Sequence, residues 1–143
     1  MRQPSKPNLL ITPSEVEVFD RGNGVATTPY VGKWNCADNK ITTGQTSFRP
    51  GTGLPLHSHN YEESVLILEG EAVAQINDDI FDLEVGQATW VPAGVPHRFY
   101  NRGESVMRIY WVYGGRDVTR TIIATGETFE HLSPNDKGGL STR

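Results

Sequence analysis

The segments 51-GTGLPLHSHNYEESVLILEG-70 and 86-GQATWVPAGVPHRFYN-101 decide the fold of this chain. They contain three of its four histidines and a candidate acidic ligand: His57, His59, His97 and Glu63. Imidazole nitrogens and a carboxylate suit iron, manganese, cobalt, nickel, copper or zinc, whereas calcium and magnesium prefer shells of oxygen. The two segments therefore indicate a transition-metal site.

Strand geometry constrains how these ligands meet. Residues two apart on a strand share a face, so His57 and His59 can point the same way, about 6.6 Å apart at the backbone. Four more residues of straight strand would carry Glu63 about 13 Å away, too far to share an ion with ligand bonds of about 2.1 Å. We therefore predict a bend at residues 60–61. The third histidine follows a turn rich in proline and glycine at residues 91–96, so it comes from a different strand.

The two segments resemble the two motifs of the cupin superfamily, and every fixed position of both motif patterns is matched. The match runs from Gly51 to Asn101, with the short spacing between motifs that is typical of compact microbial single-domain cupins. The resemblance implies an all-β fold, a double-stranded β-helix or jelly-roll-like barrel of the RmlC-like type.

The same resemblance implies one divalent transition metal per chain. Iron and manganese are the first expectation, and nickel, zinc, cobalt or copper suit the same ligands. Glu62 is the rival to Glu63, but the family spacing counted from His59 and from Gly70 selects Glu63. The implied ligands are His57, His59, Glu63 and His97.

Length and pattern favour one barrel with short extensions, since 143 residues lie within the usual range of a single domain. We divide the chain into an N-terminal arm and first strand (1–26), the barrel (27–123) and a polar C-terminal tail (124–143). The first ten residues are expected to form a mobile or partner-bound arm. The tail is expected to be partly disordered unless it packs on a second subunit.

No helical periodicity is present, and short β-branched runs separated by glycine, proline and asparagine predict strands. Turns are expected at residues 21–24 and 77–79. The predicted strands lie near residues 16–19, 41–48, 64–68, 72–76, 80–83, 88–91, 97–101, 106–113 and 118–123.

Charge and hydropathy limit the classes of partner that the protein is expected to bind. The net charge of −4, with dispersed Lys and Arg, gives no basic stripe for nucleic acid or an anionic membrane. No apolar run reaches the roughly 18 residues of a membrane-spanning helix, so a cytoplasmic protein that binds a small molecule is expected. Cys36 is the only cysteine and is read as a small inert hydrophobe rather than a reactive thiol. Strand edges at both termini favour a homodimer.

Alternation along 106–113 predicts which residues face the barrel interior, because the charge of Arg108 puts the opposite face outward. The expected wall is apolar and aromatic. We expect it to bind substrate through Phe48, Phe99, Met107, Ile109 and Trp111, beside Tyr113. Three further arginines are expected at the rim or in solvent: Arg49, Arg116 and Arg120.

Three histidines and one glutamate around an octahedral ion leave two adjacent open positions, which permits oxygenation or Lewis-acid chemistry. Glu63 is a candidate base, and Tyr113 or Glu62 a candidate proton relay. The leading hypothesis is a metalloenzyme of dioxygenase type acting on a small apolar or aromatic oxygenated compound. The alternatives are a redox-neutral isomerase, decarboxylase or lyase, and a non-catalytic binding or sensor protein.

Overall fold

Short antiparallel strands form two sheets across residues 9–142, the part of the chain that this computed structural model describes. The only helical element in that part is a 3₁₀ turn at Pro13–Glu15, and no helix there is long and apolar enough to cross a bilayer. The strands are β1 (Phe19–Gly22), β2 (Val25–Pro29), β3 (Thr42–Phe48), β4 (Thr52–Gly53), β5 (His57–His59), β6 (Glu63–Glu69), β7 (Ala72–Ile76), β8 (Asp79–Leu83), β9 (Ala88–Val91), β10 (His97–Tyr100), β11 (Met107–Tyr113), β12 (Thr119–Ile122), β13 (Thr128–Glu130) and β14 (Leu140–Ser141).

The two sheets match the jelly-roll arrangement expected from the sequence. One sheet has the order β1-β2-β3-β11-β6-β9, and the other has the order β13-β12-β5-β10-β4-β14, with β7 paired to β10 and β8 paired to β7. From residue 41 onward every predicted strand is present, with ends that differ by at most one residue. The all-β fold class is confirmed.

The first predicted strand is wrong in position. Residues 13–15 form the 3₁₀ turn, and β1 begins only at Phe19. The hairpin that follows turns at Asn23 and Gly24, whose φ angles are 52° and 84°, while Gly22 pairs with Val25. Two consecutive positive φ values are the signature of a two-residue hairpin turn, so the turn is shorter than residues 21–24. Of the predicted arm, residues 1–8 lie outside the described residues, and the side chains of residues 9 and 10 are exposed.

The core lies between the inner faces of the two sheets. Along β11 buried and half-buried residues alternate, and Arg108 on the outer face pairs with Glu69 at 3.1 Å. The prediction of an inward face on this strand is therefore confirmed. That face packs against the neighbouring inward residues Phe48, Val65, Ile67 and Phe99, and it consists of Met107, Ile109, Trp111 and Tyr113.

The C-terminal tail packs on the barrel of its own chain, so the prediction that it needs a second subunit for order is wrong. β13 pairs with β12, and β14 pairs with β4. Two polar tail residues, His131 and Asp136, are buried. The tail is held by backbone pairing and a buried ion pair rather than by apolar side chains. Its polar sequence therefore gave no indication of these contacts.

Candidate metal centre

β5 and the bend after it position the first three predicted ligands. His57 and His59 lie two apart on β5 and are both buried. The chain then bends at Asn60 and Tyr61, as predicted, before β6 starts at Glu63. The Asn60 side chain braces this bend, since it donates to the carbonyl of residue 117 at 2.9 Å and accepts from the amide of residue 119 at 2.9 Å.

The third histidine arrives from β10. His97 is the cross-strand partner of His57 and follows the turn at residues 91–96. Its ring centroid lies 4.4 Å from that of His57 and 5.2 Å from that of His59. One ring nitrogen from each of the three histidines lies within 4.8 Å of the others.

Backbone carbonyls fix which ring nitrogen of each histidine faces the cluster. Nδ1 lies 2.6 Å from Pro55 O in His57, 2.9 Å from Thr119 O in His59 and 2.9 Å from Val95 O in His97. A carbonyl oxygen can only accept, so each Nδ1 carries the hydrogen and donates it. Nε2 is then the nitrogen left for a metal, since histidines that bind a metal through one ring nitrogen commonly donate from the other to a carbonyl or carboxylate. The donor set therefore fits a transition metal ion.

Burial also keeps these rings in the form that binds metals. It lowers the pKa of His57 well below its ordinary value, with the charge of Arg120 acting in the same direction. Burial lowers the pKa of His59 to about 3, although the Glu63 carboxylate opposes the shift. Both rings are therefore neutral at physiological pH, as metal ligation requires.

Glu63, rather than its neighbour, lies at the cluster. Its Oε1 is 2.9 Å from Nε2 of His97 and 3.9 Å from Nε2 of His59, and the residue is only 5% exposed. Burial alone would raise the pKa of the Glu63 carboxyl, but its close approach to His97 and to His59 holds it below its ordinary value. Glu62 is exposed and accepts a hydrogen bond from Trp90 Nε1 at 3.0 Å.

This difference gives a matched pair of substitutions. We expect Glu63→Gln to weaken zinc binding by roughly tenfold or more, because a ligand or its close support loses its charge. Glu62→Gln should leave zinc affinity unchanged, because that side chain points away from the histidines. Competition with a fluorescent chelator measures both affinities. A larger loss in Glu62→Gln than in Glu63→Gln would reverse the assignment.

Tyr113 and the predicted wall residues lie around the cluster. The Tyr113 hydroxyl is 3.2 Å from Nε2 of His59, and burial together with the Glu63 carboxylate raises the pKa of Tyr113 well above its ordinary value. The phenol is therefore protonated at neutral pH. Met107 is buried in the core but does not line the cavity beside the cluster. The predicted residues that do line it are Phe48, Phe99, Ile109 and Trp111.

The same cavity carries charged side chains, so the prediction that it has few fixed charges is wrong. Arg21 and Arg120 both line it, and both pair with Asp136. Nη2 of Arg21 lies 3.6 Å from Oδ2 of that carboxylate, and Nε of Arg120 lies 3.0 Å from Oδ1 without hydrogen-bond geometry. Burial, aided by Arg120, lowers the pKa of Arg21 to about 10, so its guanidinium still carries a charge at neutral pH. The carboxylate from the tail is what permits two buried guanidiniums here.

The fourth histidine also reaches the cavity. His131 packs its ring edge-on against Trp111 and Tyr113, with centroid distances of 5.1 Å to each. Its Nδ1 is buried and has no hydrogen-bond partner among residues 9–142. Burial, reinforced by Arg21 and Arg120, lowers the pKa of His131 well below its ordinary value, so the ring is neutral.

From the sequence, Arg21 is expected in a turn, Arg120 at the rim and His131 in the tail. Only Arg120 has a local sequence pattern that could have indicated burial. In the predicted strand 118–123, Arg120 lies two residues from both Val118 and Ile122, so it shares their apolar, inward face. Arg49 and Arg116, the other two arginines expected at the rim, are exposed. Arg21 and His131 carry no comparable local signal.

A family model described as a cupin domain matches residues 44–113, which include both motifs and all four candidate ligands. The chain belongs to the cupin superfamily. The family identification rests on the motif segments, and the two antiparallel sheets described above are the fold it implies.

Two proteins of different description resemble parts of this chain. Polyketide synthase CurC of Streptomyces cyaneus is 32% identical in an alignment of 77 residues that covers 48% of this chain and 50% of CurC. The HTH-type transcriptional regulator PuuR of Escherichia coli K12 is 36% identical over 64 residues, which are 44% of this chain and 35% of PuuR. The chain thus spans half or less of the length of these two relatives.

A solved structure shares the fold over most of the chain. It is that of a predicted oxalate decarboxylase from Thermotoga maritima, which is 23% identical with a TM-score of 0.65. The superposition covers 75% of this chain and 99% of the other. At this level of identity the similarity concerns the fold alone.

Proposed function

We propose that this cupin is a metalloenzyme that converts a small oxygenated compound beside His57, His59, His97 and Glu63. One observation carries the proposal: three buried imidazoles converge, the Glu63 carboxylate lies 2.9 Å from Nε2 of His97, and a buried phenol lies next to them. Burying so many polar groups is costly unless a bound ion and a bound compound satisfy them. Such concentrations of perturbed groups in a cavity are typical of catalytic sites.

The proposed cofactor is one divalent transition metal per chain, with iron or manganese first. When bound, such an ion supplies a Lewis acid for a carbonyl or enolate oxygen, or a redox centre for dioxygen chemistry. The chain contributes orientation, because the carbonyls of Pro55, Val95 and Thr119 hold the three rings in place. It also excludes water, because all four ligand side chains are buried.

The polar groups favour redox-neutral proton transfer at a carbon next to a carbonyl as the reaction class. Tyr113 keeps its proton and can donate a hydrogen bond to a developing enolate oxygen. Glu63 is ionised and can accept a proton when it is not engaged by the ion. The similarity to CurC, which is described as a polyketide synthase, supports chemistry on carbonyl compounds.

A dioxygenase reaction is the second candidate, and a different observation favours it. Phe48, Phe99, Ile109 and Trp111 form an apolar wall on the cavity. A dry apolar surround protects reactive species from hydrolysis. The same wall would contact the carbon skeleton of the compound in either reaction.

Deuterium exchange separates the two candidates. Iron- or manganese-loaded protein is incubated without oxygen in D₂O with acetylacetone and with pyruvate, and exchange next to the carbonyl is followed by NMR. We expect exchange to be catalysed, and Tyr113→Phe to slow it by roughly 10²- to 10⁴-fold while metal content is unchanged. Tyr110→Phe is the matched control, because Tyr110 lies on the outer face of the same strand.

The other outcomes decide against the first candidate. Oxygen uptake that accompanies turnover, with no exchange under anaerobic conditions, would establish the dioxygenase reaction instead. Thermal stabilisation by a ligand without any turnover would identify a binding or sensor protein, a role that the description of PuuR as a regulator makes worth testing.

We also propose a homodimer, as the strand edges suggest. The outer surface exposes large apolar side chains on β8 and β9, including Ile80, Phe81 and Trp90. A second copy of the chain would cover such a surface. Sedimentation velocity over a range of protein concentrations tests this assembly.

A further inference from the structure

We propose that Arg120, together with His131, forms a carboxylate-binding subsite beside the metal centre. The substrate class is then a small carboxylic acid with a carbonyl or hydroxyl oxygen next to the carboxylate. The carboxylate pairs with Arg120, and the neighbouring oxygen lies toward the three histidines. This substrate assignment rests on the proposed function, whereas the subsite itself rests on the cavity geometry.

The position of Arg120 points its charge at the cluster. It lies on β12 directly opposite His59 on β5, so the two side chains share the inward face. Arg120 is 3% exposed and lines the cavity with His57, Glu63 and Tyr113. A ligand bound next to the histidines is therefore within the reach of this guanidinium.

The guanidinium of Arg120 is only partly engaged by the protein. Its Nε faces Asp136, but its buried Nη1 has no hydrogen-bond partner among residues 9–142. A buried charged donor without a partner costs free energy that a bound anion would recover. A carboxylate suits this donor best, because guanidinium groups bind carboxylates through parallel hydrogen bonds.

Arg21 differs because its donors are occupied within the protein. Its Nε donates to Thr27 Oγ1 at 2.8 Å, and its Nη1 donates to the carbonyls of Asp136 at 3.2 Å and Lys137 at 3.3 Å. Its Nη2 lies 3.6 Å from Oδ2 of Asp136, the same carboxylate that faces Arg120. One carboxylate thus serves two guanidiniums, and the charge it leaves uncompensated lies at the less engaged one, Arg120.

His131 supplies a second donor position. Its Nδ1 is buried without a partner among the described residues, and its ring lines the same cavity. An imidazole nitrogen bearing a hydrogen can donate to the second oxygen of a carboxylate held by Arg120. Trp111 and Tyr113 fix the plane of this ring.

The cavity limits the size of the acid. The cavity volume of about 20 Å³ is little more than the roughly 10–15 Å³ that one water needs. A small acid is therefore favoured over a large one. This size disfavours the aromatic substrates expected from the sequence.

The test compares glycolate with glycolamide, a neutral compound of the same shape. Both are titrated into zinc-loaded protein, and the dissociation constants are taken from NMR shifts. We expect Arg120→Gln to retain zinc and to weaken glycolate binding by roughly 10- to 100-fold, the range of a lost charge-assisted hydrogen bond. Glycolamide binding should not change. Arg116→Gln is the control for loss of an arginine charge, because Arg116 is exposed and does not line the cavity.

Two results would overturn the subsite. They are equal glycolate affinity in a folded, zinc-loaded Arg120→Gln variant, and equal affinity of the wild-type protein for glycolate and glycolamide. If Arg120→Gln does not fold, wild-type protein labelled with ¹⁵N-arginine decides the matter. Glycolate must then shift the guanidinium resonance of Arg120, assigned with Arg120→Lys, and the absence of a shift rejects the proposal.

Failure of the proposed function would look different. It would appear as protein that takes up no metal or catalyses no conversion. The dependence of glycolate binding on Arg120 can still be measured in metal-free protein, since Arg120 is not one of the metal ligands. The proposed function and the proposed subsite are therefore tested by separate measurements.

Discussion

Replacing His57 and His59 together by alanine will abolish metal retention, from about one ion per chain to less than about a tenth of that value. The two rings supply half of the candidate ligands from a single strand, and their nitrogens converge with that of His97. The remaining histidine and Glu63 would then be too few to hold an ion through a desalting step. Elemental analysis of protein refolded with excess zinc and then desalted measures the loss.

His131→Ala is the matched control for this variant. It removes a buried histidine from the same cavity, but its ring lies outside the three-histidine cluster. We expect this variant to retain the wild-type amount of zinc. A folded His57→Ala/His59→Ala protein that holds as much zinc as the wild type would refute the metal centre, and circular dichroism establishes that it is folded.

Replacing Asp136 by alanine will lower the free energy of unfolding by about 3–5 kcal/mol. The side chain is 1% exposed and lies between the guanidiniums of Arg21 and Arg120. It also accepts the backbone hydrogen of Leu132 at 2.8 Å, which fixes the tail. Its removal would leave two buried like charges without their counter-ion. Equilibrium unfolding in urea measures the change.

Asp117→Ala is the control for loss of a carboxylate at the surface. The Asp117 side chain is 71% exposed, and its oxygen lies 3.7 Å from Lys33 Nζ. Exposed ion pairs contribute only about 0–1 kcal/mol, so little stability should be lost. Similar destabilisation by both substitutions would mean that the pairing of Asp136 with the arginines does not hold the tail on the barrel.

The charge of the cavity beside the histidines differs most between the sequence prediction and the structure. An apolar, aromatic wall pointed to aromatic substrates and gave no reason to expect an anion. Two buried arginines with one shared carboxylate instead leave a positive charge next to the histidines. The four candidate metal ligands are unchanged by this correction, but the compound expected beside them is different.

Local pattern was sufficient for the predicted strands from residue 41 onward. The alternation along β11 identified its buried face, because side chains on a strand alternate between core and solvent. The bend before Glu63 followed from the reach of an extended chain. Local pattern failed at the first strand, where Asn23 and Gly24 close a tighter hairpin than expected, and at the tail, where polar residues become buried.

The sequence by itself determined the cupin barrel and four candidate ligands, because those features depend on short spacings within two continuous segments. Only the tertiary structure decided the charge of the cavity. Arg21 and Asp136 are separated by 115 positions. Arginine and aspartate are residue types that usually lie at the surface. A charged side chain becomes a stable part of an interior only when a distant segment supplies its partner, and no local pattern records that partner.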